Sequence, residues 1–256
     1  MSQAPTAYVN THIENGIAHV EFFHPASNSL PGHILRSLAE AIEKAGQNPE
    51  ARVIVLRSAG QSAFCAGASF DELIAIETED QGKSFFSGFA MVINAIRKAP
   101  KFVIGRIHGK AVGGGVGLAA ACDYALATNK AAVKLSELAV GIGPFVVGPA
   151  VERKTGTAAF SAMAIDATEW RSAEWAHACG LFAELHTDVD QLDEAITRLA
   201  SQLSKSNPEA MSMLKQIFWS GTEHWDTLLL ERAAMSGKLV LSDFTRNAIE
   251  QFKTKK

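Results

Sequence analysis

The feature that most constrains the fold of this sequence is an alternation of short buried strands with longer amphipathic helices. Apolar runs typical of buried strands occur at "RVIVLRS" (52–58), "FVIGRI" (102–107) and "DYALAT" (123–128). Helical periodicity in "KSFFSGFAMVINAIRKA" (83–99) separates the first two, and a helix predicted from about residue 114 separates the last two. This alternation predicts βαβ units and an α/β fold with a largely parallel sheet.

The N-terminal segment predicts a hairpin and a helix ahead of these units. "AYVNTHIENGIAHVEFF" (7–23) is rich in β-forming residues on both sides of Asn15 and Gly16. An Asn-Gly pair favours a tight hairpin turn, because both residues tolerate a positive φ. Apolar residues then recur at helical spacing in "GHILRSLAEAIEKAGQ" (32–47).

The C-terminal part of the chain looks different, because strand patterns nearly vanish after about residue 157. Four segments there have helical patterns, namely "SAEWAHACG", "DQLDEAITRLASQLSKS", "PEAMSMLKQIFWSG" and "DTLLLERAAMSGKLVL". We therefore expect an α/β core in residues 1–195 and a helical portion in residues 196–256.

Composition argues against several classes of protein. With 24 Lys and Arg against 27 Asp and Glu, the net charge is −3, and no basic excess favours nucleic acid or anionic membranes. No apolar run approaches the ~18 residues of a membrane span, and the N-terminus lacks a signal-peptide pattern. The three cysteines are scattered and predict no disulfides, so we expect a cytoplasmic protein. The eight histidines lack paired ligand spacing and predict no metal site.

The segment "HGKAVGGGVGLAAACDYALA" (108–127) carries three consecutive glycines and a fourth at Gly117. It lacks the GxxxxGK[ST] pattern of a phosphate loop, since Lys110 precedes the glycines. A dinucleotide fingerprint also fits poorly, because Glu137 lies beyond a further strand and turn. Two interpretations remain: close packing of small residues, or a helix start whose unpaired N–H groups face a ligand.

A second small-residue turn, "SAFCAGASFDEL" (62–73), follows strand 52–58 as the glycine run follows strand 102–107. Both turns should leave the same edge of the sheet, where ligands bind in open α/β folds. Two backbone N–H groups from separate turns, aimed at one point, can form an oxyanion hole.

These two turns, followed by "KLSELAVGIGP" (134–144), resemble the crotonase superfamily, also called the enoyl-CoA hydratase/isomerase superfamily. The resemblance extends from "HPASNSL" (24–30) through "SAEWAHACGLFAEL" (172–185) to the C-terminal "IEQFKTKK". It implies a crotonase fold, in which repeated ββα units form a spiral core and a helical C-terminal portion forms trimers. It also implies a homotrimer or a dimer of trimers.

The resemblance assigns catalytic roles to three residues. The backbone N–H groups of Ala68 and Gly114 would bind the thioester oxygen of an acyl-CoA as it becomes an enolate. Glu137 matches one of two glutamates that hydratases of the family commonly use, whereas Gly117 occupies the position of the other. The acid–base work would then fall to Glu137 alone.

A single carboxylate leaves three functions open. Enoyl-CoA hydration comes first, for example on a branched substrate such as 3-methylglutaconyl-CoA. A Δ3,Δ2-enoyl-CoA isomerase that uses one glutamate is the alternative, and a non-catalytic CoA-binding protein is the third.

The resemblance also implies the residues that contact the substrate. No cofactor is implied beyond the coenzyme A that forms part of the substrate, and no metal is expected. The residues expected to bind the substrate are Ala66, Gly67, Gly113, Phe145, Val146, Phe252 and Lys253.

Overall fold

The computed structural model describes the backbone of residues 6–254 and the side chains of residues 6–251. The strands are β1 Tyr8–Glu14, β2 Ile17–Phe23, β3 Ser29–Leu30, β4 Val53–Ser58, β5 Ala63–Cys65, β6 Gly67–Ala68, β7 Val103–Ile107, β8 Lys110–Val112, β9 Tyr124–Thr128, β10 Ala132–Lys134, β11 Arg171–Ser172 and β12 Glu184–His186. The helices are α1 Gly32–Gln47, α2 Phe70–Ile74, α3 Glu79–Lys98, α4 Gly114–Ala121, α5 Gly148–Ile165, α6 Ala173–Ala178, α7 Val189–Ser204, α8 Pro208–Phe218, α9 Trp225–Leu239 and α10 Asp243–Thr254.

Two sheets organise the α/β core. A six-stranded sheet has the order β1-β2-β4-β7-β9-β12, and a four-stranded sheet has the order β11-β10-β8-β5. Three times in succession, a strand of the larger sheet is followed by a short strand of the smaller sheet and then by a helix. The pairs are β4 with β5, β7 with β8, and β9 with β10. This repetition confirms the predicted spiral of ββα units and the crotonase fold.

The hairpin at the start of the chain is confirmed. β1 and β2 are antiparallel, and Glu14 pairs with Ile17 across the turn. Asn15 and Gly16 adopt φ values of 52° and 79°, as this two-residue turn requires. β2 then pairs in parallel with β4, so the hairpin extends the parallel sheet at one edge.

Strand patterns nearly vanish from the sequence after residue 157, but two short strands, β11 and β12, lie there, and β12 was not predicted. This strand adds to the edge of the six-stranded sheet, where Glu184 pairs with Leu126 and His186 with Thr128 of β9. β12 is only three residues long and half-buried, so it lacks the apolar run by which a buried strand is recognised.

The predicted division between residues 195 and 196 falls inside α7. Leu192 and Ile196, on either side of that division, pack in one apolar cluster with Val55 and Ile104 of the large sheet. The division therefore does not coincide with a break in secondary structure. Within the described residues, no helix is both long and apolar enough to cross a membrane.

Helix α3 connects the core to the C-terminal helices. Gly82 of α3 and Gly237 of α9 touch through their backbones, because a Cβ on Gly82 would lie 2.6 Å from the Gly237 Cα. Further along α3, Phe89 is buried against the first residue of α4. α3 thus packs against the start of α4 and helps to position the glycine turn.

Candidate active site

A cavity of about 530 Å³ opens where the turns after β5, β8 and β10 converge. Its lining is mostly apolar, and the ionisable side chains among the described residues that line it are Lys134 and Glu137. The apolar side chains of the lining include Phe70, Leu73, Phe86, Phe89, Val140, Ile142, Phe145, Val146 and Val147. Such a space suits a hydrocarbon chain beside one acid–base group.

The glycine turn is held in a conformation that only glycine adopts readily. Gly113 has φ 51° and ψ −113°, and its N–H donates a 2.8 Å hydrogen bond to the Lys134 carbonyl. The Gly113 carbonyl in turn accepts the Val116 N–H at 2.9 Å, which begins α4. Gly114 is therefore the first residue of the helix, and a first-turn N–H has no acceptor within its own helix.

The turn that carries Ala68 lies directly against the glycine turn. A Cβ on Gly67 would lie 3.1 Å from the Val112 carbonyl oxygen and 3.8 Å from the Gly114 nitrogen. Gly67 itself has φ 92°, so glycine is favoured there for conformation as well as for space. The cavity is lined by all five residues that the resemblance implied for these two turns, namely Ala66, Gly67, Ala68, Gly113 and Gly114.

Glu137 places its carboxyl group at the wall of this cavity. A Cβ on Gly113 would lie 2.7 Å from the Glu137 Oε1, so the carboxyl group rests on the glycine turn. Oε2 is fully buried and has no hydrogen-bond partner within residues 6–251. Although Glu137 precedes a short 3₁₀ turn, Leu138–Val140, its side chain does not cap that turn.

Burial raises the pKa of Glu137 to about 7. A buried carboxyl group resists ionisation because its charged form loses hydration, and here no cation compensates. A carboxyl group with such a pKa exchanges protons readily near neutral pH, which is what a general acid–base residue requires.

Gly117 lies behind a wall of the cavity, against Val147. A Cβ on Gly117 would overlap the Val147 side chain and lie 2.7 Å from its Cβ. Val147 is buried and lines the cavity, whereas Gly117 does not. The space into which a side chain at position 117 would extend is thus filled by a hydrocarbon group.

The remaining predicted substrate residues divide into two groups. Phe145 and Val146 line the cavity as expected, and the Phe145 ring packs over Gly143. The side chains of Phe252 and Lys253 lie outside the described residues.

Sequence reasoning missed several lining residues. Trp170 lines the cavity, although no motif in the sequence indicates a role for it there. Lys134 and Ser236 of α9 also line it. Lys134 is three residues before Glu137, so its proximity was a usable signal, whereas nothing local in α9 indicates that Ser236 reaches the site. Within residues 6–251, no group of three or more His, Cys, Asp or Glu side chains could hold a metal ion.

The ββα spiral with a buried glutamate beside two glycine-bearing turns is the arrangement of a crotonase-fold protein. The family model for enoyl-CoA hydratase/isomerase matches residues 12–255, and the chain belongs to that family. A probable enoyl-CoA hydratase of Bacillus subtilis (strain 168) is 26% identical over 246 residues, covering 95% of each chain. A mitochondrial methylglutaconyl-CoA hydratase of Rattus norvegicus is 32% identical over 205 residues, covering 77% of this chain and 63% of the relative.

Solved structures agree with the family assignment. An enoyl-CoA hydratase from Mycobacterium avium subsp. paratuberculosis K-10 superposes with a TM-score of 0.84, at 25% identity over 98% of each chain. An enoyl-CoA hydratase from Bacillus halodurans superposes with a TM-score of 0.88 at 21% identity, covering 95% of this chain and 99% of that one. The second likeness shows the shared fold.

Proposed function

We propose that this protein is an enoyl-CoA hydratase in which Glu137 alone carries out the acid–base chemistry. One observation supports this most strongly: the carboxyl group of Glu137, whose buried Oε2 has no hydrogen-bond partner among residues 6–251, lies at the wall of an apolar cavity that two glycine turns also line. The relatives named above as hydratases support the choice of reaction. No cofactor beyond the coenzyme A of the substrate enters the proposal.

In the proposed reaction, the Ala68 and Gly114 N–H groups donate to the thioester carbonyl oxygen. Glu137 takes a proton from water as the water oxygen bonds to C3, and the C2–C3 π electrons move into the thioester as an enolate. The protonated Glu137 then returns its proton to C2, which restores the thioester and the carboxylate. Losing one oxyanion donor typically costs about 3 to 4 kcal/mol of transition-state stabilisation.

Isomerisation is the second candidate, because Glu137 supplies the only carboxylate among the described residues that line the cavity. One base is sufficient to move a double bond. It removes a proton from C2 of a 3-enoyl-CoA, which gives a dienolate with its negative charge on the thioester oxygen, and the same proton is then added to C4 as the double bond forms between C2 and C3. No water is consumed.

A panel of thioesters separates these functions. Wild type and Glu137→Gln are assayed with 2-enoyl-, 3-enoyl- and 3-methylglutaconyl-CoA, and the products are identified by mass spectrometry. A hydratase adds the mass of water, whereas an isomerase leaves the mass unchanged and moves the double bond. We expect Glu137→Gln to lose at least 100-fold in kcat, since general acid–base catalysis contributes about 10²–10⁴-fold.

The control for this experiment is Glu209→Gln, an exposed carboxyl group in the first turn of α8 that is not part of the cavity lining. Full activity of Glu137→Gln would disprove the assignment of the base. Binding of CoA thioesters without turnover of any of them would favour the non-catalytic alternative.

The proposed assembly is a homotrimer or a dimer of trimers. Apolar side chains on the C-terminal helices support association, because Ile217 and Phe218 of α8 and Phe244 of α10 are at least half exposed. Light scattering on the purified protein measures the assembled mass, and a monomer at micromolar concentration would contradict this proposal.

A further inference from the structure

Two lysines and a tryptophan share one face of the four-stranded sheet beside the cavity. Lys134 of β10 pairs with Val112 of β8, and Lys110 lies two residues earlier on β8, which places both lysines on the same face. Val133 pairs with Arg171 of β11, so the next position in that antiparallel register sets Trp170 opposite Lys134. The Lys134 and Lys110 ammonium groups lie 4.6 and 4.9 Å from the centre of the Trp170 ring.

Neither lysine has a negatively charged partner within the described part of the chain. The ion pairs among residues 6–251 involve other cations. Lys134 donates one long hydrogen bond of 3.4 Å, to the Thr168 carbonyl. Lys134 is not the counter-ion of Glu137 either, because no neighbouring charge contributes to the environment of that carboxyl group. Two adjacent positive charges are thus left without compensation.

Position relative to the cavity makes this pair functionally interesting. Lys134 and Trp170 both line the cavity, whereas Lys110 is exposed at its side. Because the rest of the lining is mostly apolar, a half-buried ammonium group there is strongly attractive to an anion. Lys134 and Glu137 are three positions apart in the chain, so their α-carbons are at most about 11 Å apart.

We propose that Lys134, supported by Lys110 and Trp170, binds a second carboxylate at the far end of the acyl chain. The preferred substrate is then an enoyl thioester of a dicarboxylic acid, and the inference deepens the proposed function by naming the substrate class. A phosphate of coenzyme A is the other anion that such a pair attracts. The long pantetheine arm separates those phosphates from the thioester, whereas a short diacid places its carboxylate a few bonds from the reacting carbons.

The kinetic test compares 3-methylglutaconyl-CoA with 3,5-dimethylhex-2-enoyl-CoA, in which an isopropyl group replaces the distal carboxylate. We expect wild type to prefer the carboxylated substrate, and Lys134→Met to lower that ratio of kcat/KM values by about 10- to 100-fold, as for a hydrogen bond to a charged group. Lys110→Met should lower this ratio of kcat/KM values less, and Lys134→Arg should retain most of the preference for the carboxylated substrate. Lys205→Met, which removes an exposed lysine outside the cavity lining, is the matched control.

Binding of unreactive saturated ligands tests the inference independently of turnover. Calorimetry measures the Kd of glutaryl-CoA and of its neutral counterpart 5-methylhexanoyl-CoA with wild type and Lys134→Met. Tighter binding of glutaryl-CoA that disappears in Lys134→Met supports the carboxylate site, even if wild type hydrates neither enoyl substrate and the proposed function fails. Equal binding of the two ligands by wild type overturns the inference.

Phosphate-free pantetheine thioesters of the same acyl groups identify the source of the anion. If Lys134 binds the acyl carboxylate, Lys134→Met weakens the binding of the glutaryl thioester of pantetheine as much as it weakens the binding of glutaryl-CoA. Lys134→Met could instead weaken the binding of both CoA ligands equally and leave the binding of both pantetheine ligands unchanged. In that case the lysine binds a CoA phosphate, and the carboxylate proposal is wrong.

Discussion

At the scale of single residues, the site depends on what surrounds one carboxyl group. Glu137 and the two glycine turns were found from the sequence, because their short motifs carry the signal. Trp170 and Ser236 were not found from the sequence, because each reaches the cavity through the packing of segments that are distant in the chain. The raised pKa of Glu137 and the burial of its Oε2 without a partner come only from the three-dimensional arrangement.

The stability of the protein should depend on the ionisation of Glu137. Its pKa rises from 4.5 to about 7 on folding, so the native state binds more protons than the unfolded state between these values. The free energy of unfolding therefore falls as pH rises through this window, by at most about 3 kcal/mol. Gln carries no charge, and we expect Glu137→Gln to exceed wild type in stability at pH 8 but not at pH 4.

Urea unfolding of wild type, Glu137→Gln and the exposed-site control Glu209→Gln at both pH values checks this. An equal stability difference between wild type and Glu137→Gln at pH 4 and pH 8 would show that folding does not raise the pKa of Glu137.

The contact of Gly117 with Val147 should couple the two positions energetically. Gly117→Ala forces its new methyl group into Val147, an overpacking that typically costs about 1–3 kcal/mol. Val147→Ala removes Cγ1, the atom nearest to that methyl group, but keeps the Cβ at 2.7 Å, so it relieves part of the overlap. The double variant should therefore be more stable than the sum of the two single changes predicts, by about 0.5–3 kcal/mol. Chemical denaturation of the four proteins measures this coupling, and strict additivity would contradict the contact.

At the scale of elements, sequence patterns succeeded where burial is strong and local. The hairpin, α1, α3 and the first three core strands have clear periodicity, and each lies close to its predicted position. β12 escaped prediction because a three-residue edge strand is defined by its partner, β9, which lies more than 50 residues earlier. Pairing at that separation leaves little trace in a short segment.

The close approach of α3 and α9 yields a prediction with an internal control. Gly82→Ala places a methyl group 2.6 Å from the Gly237 Cα, so the helices must separate, and we expect a loss of about 1–3 kcal/mol. Gly46→Ala, also a buried helical glycine, meets its nearest atom at 3.4 Å and should be neutral or stabilising. Thermal unfolding compares the two, and similar melting temperatures would show that α3 and α9 are not in tight contact.

At the scale of the whole molecule, a buried ion pair links the core to the C-terminal helices. Lys215 of α8 lies 2.8 Å from Asp123, which lies in the two-residue link between α4 and β9, and their side chains are 3% and 6% exposed. Asp123 also accepts hydrogen bonds from the Val103 N–H and from the Trp219 indole N–H, each at 2.7 Å. The carboxylate thus joins β7, α4 and α8.

Removing the positive charge should destabilise the entire fold. Lys215→Met leaves the Asp123 carboxylate buried without its ion partner, which typically costs about 3–5 kcal/mol. Adding Asp123→Asn should recover part of that loss, whereas the exposed-site control Lys205→Met should change little. Urea denaturation followed by circular dichroism measures these free energies, and a loss below 1 kcal/mol for Lys215→Met would contradict a structural role for the pair.

The ion pair also bears on how this chain matures during synthesis. Asp123 is translated some 90 residues before Lys215, and Ser236, which lines the cavity, follows later still. Until α8 leaves the ribosome, burying Asp123 is less favourable, because its carboxylate lacks the ion pair with Lys215. The Asp123 edge of the nascent core should therefore stay hydrated until α8 packs against it, and the lining of the cavity is complete only after Ser236 of α9 has been translated.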